Sequence, residues 1–184
     1  MVDYKRQEMN FLGKLVFFLS ANSPVFIIWG IFQMEKHPLL SPVLFIIAVL
    51  ALGALALLFL YAGGKQEKTL YEVNIIENVN SKMIEYMFSY VLPFLSINNN
   101  DSWNSTIALG IYYIVLFGVY MRGDVFYINP ILNLFGYNIY KISYKVDGNQ
   151  EQGFIVCKEK KYKIKNTCNI SAIDNNLFLF KKGL

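Results

Sequence analysis

Long apolar stretches separated by short polar ones run through the first two thirds of the chain. Residues 11–32, 39–62, 83–97 and 103–121 are predominantly apolar, and residues 43–62 contain no charged side chain. A helix needs about 20 such residues to cross the hydrocarbon core of a bilayer. The pattern therefore predicts four transmembrane helices, with the shortest one beginning before Met83. Pro24 predicts a kink in the first of them, because proline frees a backbone carbonyl.

The pattern changes after residue 122. Residues 125–140 are apolar but interrupted by Asn, Pro and Gly residues. Asn129 and Pro130 are typical of a helix start and Gly136 of a helix end. We expect a short helix that lies at the membrane interface and does not cross the bilayer.

From Tyr140 onward, apolar and polar residues alternate with period two, which favours β-strands. Further strand candidates lie at 154–157, 164–173 and 177–180. The polar segment 63–82 is interpreted as a helix-compatible connection. The predicted fold class is a membrane α-helical protein with four transmembrane helices followed by a small β-rich cytoplasmic domain. Its domains are 1–122 (transmembrane), 123–140 (interfacial) and 141–184 (basic and β-rich).

Composition supports this class. Hydrophobic residues make up 55% of the 184 residues, charged residues only 16%, and mean hydropathy is +0.36. A soluble domain carries roughly 25% charged residues. These values exclude a disordered chain, a disulfide scaffold and an ordinary soluble enzyme.

The charge distribution predicts the orientation. With four crossings, 16 of the 17 Lys and Arg residues lie on one side, nine of them from Lys141 onward. Positive residues concentrate on the cytoplasmic side of membrane proteins. Both termini are therefore predicted to be cytoplasmic.

Few side chains are suited to metal binding or covalent catalysis. His37 is the only histidine, and Cys157 and Cys168 stand eleven residues apart. Zinc sites usually need four such ligands at short spacings. We interpret His37 as a solvated loop residue and expect reduced cysteines, no metal and no cofactor.

Polar residues within the predicted spans are candidates for function, since they are costly in a bilayer. Asn22 and Ser23 suit hydrogen bonds between helices in an oligomer, or the lining of a conduction pathway. Glu85 lies one turn into its span, where a side chain that reaches back to the surface or pairs with Lys82 is favoured over a proton relay.

A lysine cluster marks the tail: Lys158, Lys160, Lys161, Lys163 and Lys165. The cluster could contact anionic lipid headgroups, dock an acidic partner protein or bind nucleic acid. The lipid interpretation agrees with the positive-inside bias, and partner docking is the main alternative.

Two motifs carry a resemblance to a known family. Glu77-Asn78-Val79-Asn80 runs into Tyr86, Tyr90 and Pro93, and Asn129-Pro130-Ile131-Leu132 is followed by Phe135-Gly136-Tyr137 and Tyr140. With the predicted topology and the lysine-rich tail, they resemble the KwaA-like membrane subunits of the bacterial Kiwa anti-phage defence system.

The resemblance implies a non-enzymatic subunit that forms a homo-oligomer, a tetramer, in the bacterial inner membrane. It also implies that the subunit senses phage infection and acts with a soluble DNA-binding effector resembling KwaB. No direct nucleic-acid binding by this chain is expected. It offers no catalytic residues. The predicted function is therefore a sensor that recruits a cytoplasmic effector, and the alternative is a small oligomeric channel or permease.

Overall fold

The structure is a computed structural model of the chain. It describes residues 10–35, 37–64, 68–80, 82, 85, 88, 103–123, 128–146, 149–158, 168–174 and 176–181. Within these residues, the structure has five helices and a five-stranded barrel.

The first apolar stretch forms two helices, α1 (Phe11–Ala21) and α2 (Ser23–Gln33), which meet at an angle of 53°. Pro24 at the start of α2 has no N–H to offer to the carbonyl of Ser20. The Ser23 hydroxyl donates to that carbonyl oxygen instead, at 2.8 Å. The kink predicted from Pro24 is confirmed.

The remaining helices are α3 (Leu40–Gly64), α4 (Trp103–Arg122) and the short α5 (Pro130–Leu134). Helix α3 packs along both α1 and α2. Aromatic side chains join α4 to the bent pair. The ring centroid of Phe18 lies 5.1 Å from those of Phe117 and Tyr120. The Trp29 ring stacks on the Tyr113 ring, with centroids 6.1 Å apart. The outward faces of these helices are rich in exposed Ile, Leu and Val side chains.

Five strands close into a barrel in the order β1-β2-β3-β5-β4. They are β1 (Lys68–Asn78), β2 (Asn138–Val146), β3 (Asn149–Cys157), β4 (Cys168–Ala172) and β5 (Leu177–Lys181). All neighbours are antiparallel except β3 and β5, which are parallel. This is the strand order of an OB-fold barrel. Its core contains Tyr140, Ile142, Ile155, Ile170 and Phe178.

The barrel is attached directly to the end of α3. Strand β1 begins four residues after Gly64, and the Ser171 hydroxyl on β4 donates to the carbonyl oxygen of Ala62 in the last turn of α3. A second contact joins Phe59 of α3 to Tyr137, which precedes β2, with ring centroids 5.5 Å apart. The helices and the barrel therefore share buried contacts.

The prediction of four transmembrane helices followed by a β-rich domain is wrong. Among the described residues, only Leu40–Gly64 forms a straight helix long and apolar enough to cross a membrane. The bent pair α1–α2 would add a second as one broken span, and the apolar part of α4, Thr106–Arg122, is shorter. The predicted span 83–97 lies outside the described residues except for Glu85 and Phe88. The length of an apolar stretch shows neither the sharp bend between α1 and α2 nor the shortness of the apolar part of α4. A count of membrane spans from apolar length alone was therefore too high.

The segment 63–82 is also not a helical connection, because most of it is strand β1. Its register with β2 shifts between Tyr71 and Asn74 and again between Ile75 and Glu77, and Glu72 has a positive φ of 49°. Such bulges put extra residues into a strand and interrupt its alternation. The period-two signal was therefore lost from the sequence pattern.

Both cysteines lie in the barrel core, and burial raises the pKa of the Cys168 thiol above its ordinary value. Each unit by which a thiol pKa rises lowers its thiolate fraction about tenfold, and the thiolate is the reactive form. We therefore expect alkylation of the native protein at pH 8 to be slow and to become complete on unfolding. Mass spectrometry of iodoacetamide-treated protein measures this. A Gln152→Cys variant, exposed on β3, should react fast, and equally fast labelling of Cys168 would contradict the buried placement.

Candidate functional site at the junction of helices and barrel

Asn129 is the main polar link between the helices and the segment that leads into the barrel. It is fully buried and caps α5, where its side-chain oxygen accepts from the backbone N–H of Ile131 at 3.0 Å. Its Nδ2 donates to the Ser20 hydroxyl at 2.8 Å, with a longer contact of 3.4 Å to the carbonyl oxygen of Phe17. One side chain thus joins α1, near its break, to α5 and so to the start of β2.

The break itself holds three further buried polar side chains. Asn22 Nδ2 donates to the carbonyl oxygen of Phe18 at 2.8 Å, and the Ser20 hydroxyl donates to that of Phe17 at 3.0 Å. Asn22 Oδ1 is buried and makes no hydrogen bond within the described part of the chain. We name Ser20, Asn22, Ser23 and Asn129 the junction cluster.

The junction cluster contains hydroxyls and amides and no ionisable group. It can therefore hold or shift hydrogen bonds at the bend, where its side chains act as neutral donors and acceptors. The bonds of Asn22 and Ser23 run within the bent pair itself. Their predicted roles in an oligomer or a pathway remain predictions.

Asn80 forms a second link, at the end of β1. Its Nδ2 donates to Asn138 Oδ1 at 2.7 Å, and its Oδ1 accepts from the backbone N–H of Ile139 at 3.0 Å. The cap at Asn129 was predicted from Pro130, but neither the bond of Asn129 to Ser20 nor the role of Asn80 was predicted. The sequence signal for these bonds is the position of each asparagine: Asn80 follows the end of a strand and Asn129 precedes a helix. Side chains at such positions commonly satisfy backbone N–H and C=O groups.

The lysine cluster is only partly described. Lys158 is exposed, and its Nζ lies 5.0 Å from the centroid of the Tyr137 ring. Lys160, Lys161, Lys163 and Lys165 lie outside the described residues.

The remaining predicted site residue, Glu85, is exposed. Its neighbour Lys82 forms an ion pair with Glu77 at 3.0 Å. Within the described ranges, no three His, Cys, Asp or Glu side chains come together as a metal site would require.

Fold and site together define a protein with a membrane-length apolar helix, a bent helical pair and a small barrel, joined by buried hydrogen bonds of Asn129 and Ser171. The family model described as anti-phage protein KwaA matches residues 13–179. The Kiwa protein KwaA of Escherichia coli O55:H7 (strain RM12579 / EPEC) is 21% identical over 114 residues, which cover 61% of this chain and 58% of that protein. No solved structure matches the chain significantly.

The chain belongs to the KwaA family and is an anti-phage defence component. The resemblance found in its sequence is confirmed.

Proposed function

We propose that this chain is the membrane-associated, non-enzymatic subunit of a Kiwa-type system. It oligomerises in the bacterial inner membrane as a tetramer, responds to phage infection at the envelope and recruits a cytoplasmic DNA-binding effector resembling KwaB. The observation that carries the proposal is the direct attachment of the barrel to the end of the apolar helix α3. A disturbance of the helices can reach the barrel over this short path.

The charge pattern supports a cytoplasmic barrel. Nine of the 17 basic residues lie from Lys141 onward, and five of them fall between Lys158 and Lys165. Clustered lysines steer association with an acidic surface and make it sensitive to salt. In this proposal, the part of the lysine cluster beyond Lys158 is the docking site for the effector: Lys160, Lys161, Lys163 and Lys165.

The junction cluster supports the signalling role. Its amides and hydroxyls join the bent helical pair to α5, and α5 leads through Tyr137 into β2. A hydrogen bond between neutral groups is worth about 1 kcal/mol net when it is replaced by another one, whereas a buried group left without a partner costs about 1–3 kcal/mol. The bend can therefore change its angle while the links are rearranged.

Reversing three charges of the cluster, Lys160→Glu, Lys161→Glu and Lys163→Glu, is expected to abolish co-purification of a KwaB-type effector with the tagged full-length chain. It should also abolish protection against phage in a plaque assay. Reversal replaces attraction by repulsion at the docking surface, so binding should fall by at least about tenfold.

The matched control reverses Lys5, Arg6 and Lys182, which changes the net charge equally but leaves the cluster intact. This variant should recruit the effector as the parent does. Undiminished recruitment of the effector by the cluster variant would refute the docking role. An equal loss of recruitment in both variants would show that net charge, and not the lysine cluster, determines binding.

A further inference from the structure

Two large apolar side chains are exposed side by side at the end of α5. Leu134 is 76% exposed and Phe135 is 67% exposed, while Pro130, Ile131 and Leu132 on the same short helix are buried. The buried residues and the Asn129 cap fix the helix in place, so the exposed pair is held out by a rigid support. Nothing in the packing of the described barrel explains why this pair faces outward.

The level of α3 beside which Leu134 and Phe135 lie indicates which surroundings they contact. Tyr137, two residues beyond Phe135, packs on Phe59 in the last two turns of α3. Two residues span at most about 7 Å, so Phe135 lies near that level of the helix. Leu57, Leu60 and Tyr61 are exposed there as well. The exposed pair therefore lies near the level of α3 at which these apolar side chains are exposed, at the end where the barrel begins.

A cation stands beside this apolar edge. Lys158 is exposed and places its Nζ 5.0 Å from the Tyr137 ring centroid, a cation–π distance. Aromatic residues and lysines are typical of the headgroup region, where the ring stays at the boundary and the ammonium reaches phosphate. Apolar side chains that insert beside a lysine are the elements of interfacial lipid binding.

We propose that Leu134, Phe135, Tyr137 and Lys158 form a binding edge for anionic phospholipids. Leu134 and Phe135 enter the upper acyl chains, and Lys158 pairs with a headgroup phosphate. The edge seats the barrel against the cytoplasmic leaflet and fixes its orientation relative to the helices. This proposal rests on the membrane association in the proposed function.

The test places a tryptophan at the edge of the full-length protein. In a Trp29→Phe, Trp103→Phe background, Phe135→Trp is reconstituted into phosphatidylglycerol–phosphatidylcholine vesicles whose acyl chains are brominated either near the glycerol or near the chain end. Bromine quenches tryptophan only at short range. We expect strong quenching by the shallow bromines and weak quenching by the deep ones. Leu134→Trp provides a second reporter if Phe135→Trp does not fold.

Two control positions separate the outcomes. Leu50→Trp, on the exposed face of α3 near its middle, should be quenched by the deep bromines, and Gln152→Trp on the barrel should be quenched by neither. If the Leu50→Trp variant is quenched and the Phe135→Trp variant is not, the lipid edge is refuted while membrane association stands. If neither variant is quenched, membrane association itself fails. If the Phe135→Trp reporter is shielded from both bromine and aqueous acrylamide, a second copy or another protein covers the edge, and the proposal is overturned.

The charge is tested by Lys158→Gln, with Lys145→Gln as the control because Lys145 is also exposed on the barrel and pairs with Glu72. Native mass spectrometry measures phosphatidylglycerol binding. Lys158→Gln should weaken the tightest-bound phosphatidylglycerol roughly fivefold, and Lys145→Gln should not. Equal effects of the two substitutions would contradict a specific site at Lys158.

Discussion

Asn129→Ala is expected to lower the free energy of unfolding by about 3 kcal/mol. The substitution removes the acceptor for the backbone N–H of Ile131 and the donor to the Ser20 hydroxyl. Both partners stay buried. The Ile131 N–H is left without its acceptor, which costs about 1–3 kcal/mol, and the Ser20 hydroxyl loses one bond, worth about 1 kcal/mol, while it still donates to the carbonyl oxygen of Phe17. Unfolding in mixed detergent micelles, followed by circular dichroism, measures the loss.

Asn133→Ala is the matched control. Asn133 lies on the same short helix but is exposed, so its substitution should change stability by less than about 0.5 kcal/mol. Asn129→Ser keeps a cap acceptor but is too short to reach Ser20, and we expect it to lose roughly half as much as Asn129→Ala. Equal stability of Asn129→Ala and Asn133→Ala would show that Asn129 does not join helix to barrel.

Gly153→Val is expected to destabilise the barrel by about 3 kcal/mol and to reduce the amount of folded protein in cells. A Cβ at this position would stand 3.0 Å from the carbonyl oxygen of Asn176, 3.1 Å from the Phe178 ring and 3.2 Å from the Tyr144 ring. The backbone N–H of Phe154 holds that same carbonyl oxygen at 2.7 Å, so the turn cannot move away freely. Valine adds two methyl groups beyond the Cβ.

The abundance and the thermal unfolding temperature of the purified variants measure this effect. Gly53→Val serves as the control, because a Cβ at Gly53 in α3 meets nothing within 4 Å. That variant should match the parent. Gly153→Ala should lie between parent and Gly153→Val, since its single added carbon needs shifts of only a few tenths of an ångström. A fully stable Gly153→Val would mean that β3 and the turn before β5 do not approach each other closely.

Local signals in the sequence predicted local features. The Asn129–Pro130 pair predicted the start of α5, and the Asn129 side chain does accept from Ile131. Gly136, predicted to end that helix, has a positive φ of 78°. Each of these features depends on residues within a few positions of one another, which is the range over which capping and turn chemistry act.

Features that depend on distant partners were missed. Strand β1 pairs with β2 and β4, which follow more than 50 residues later. Its bulges adapt it to those partners, so the segment alone shows neither alternation nor an apolar run. The link between Asn129 and Ser20 spans 109 positions. An asparagine beside a proline reveals a cap, but its second bond depends on a bend elsewhere in the chain.

The order of the strands has a consequence for how the protein is made. Strand β1 leaves the ribosome first, and β2 follows only after the 59 residues from 79 to 137, which include α4 and α5. At about 5–20 residues per second, β1 waits roughly 3–12 s for its first neighbour. An unpaired strand is prone to wrong pairing during such a delay. The order of synthesis therefore allows the helices to pack first. The barrel closes last, when β4 pairs with β1 and β5 pairs with β3.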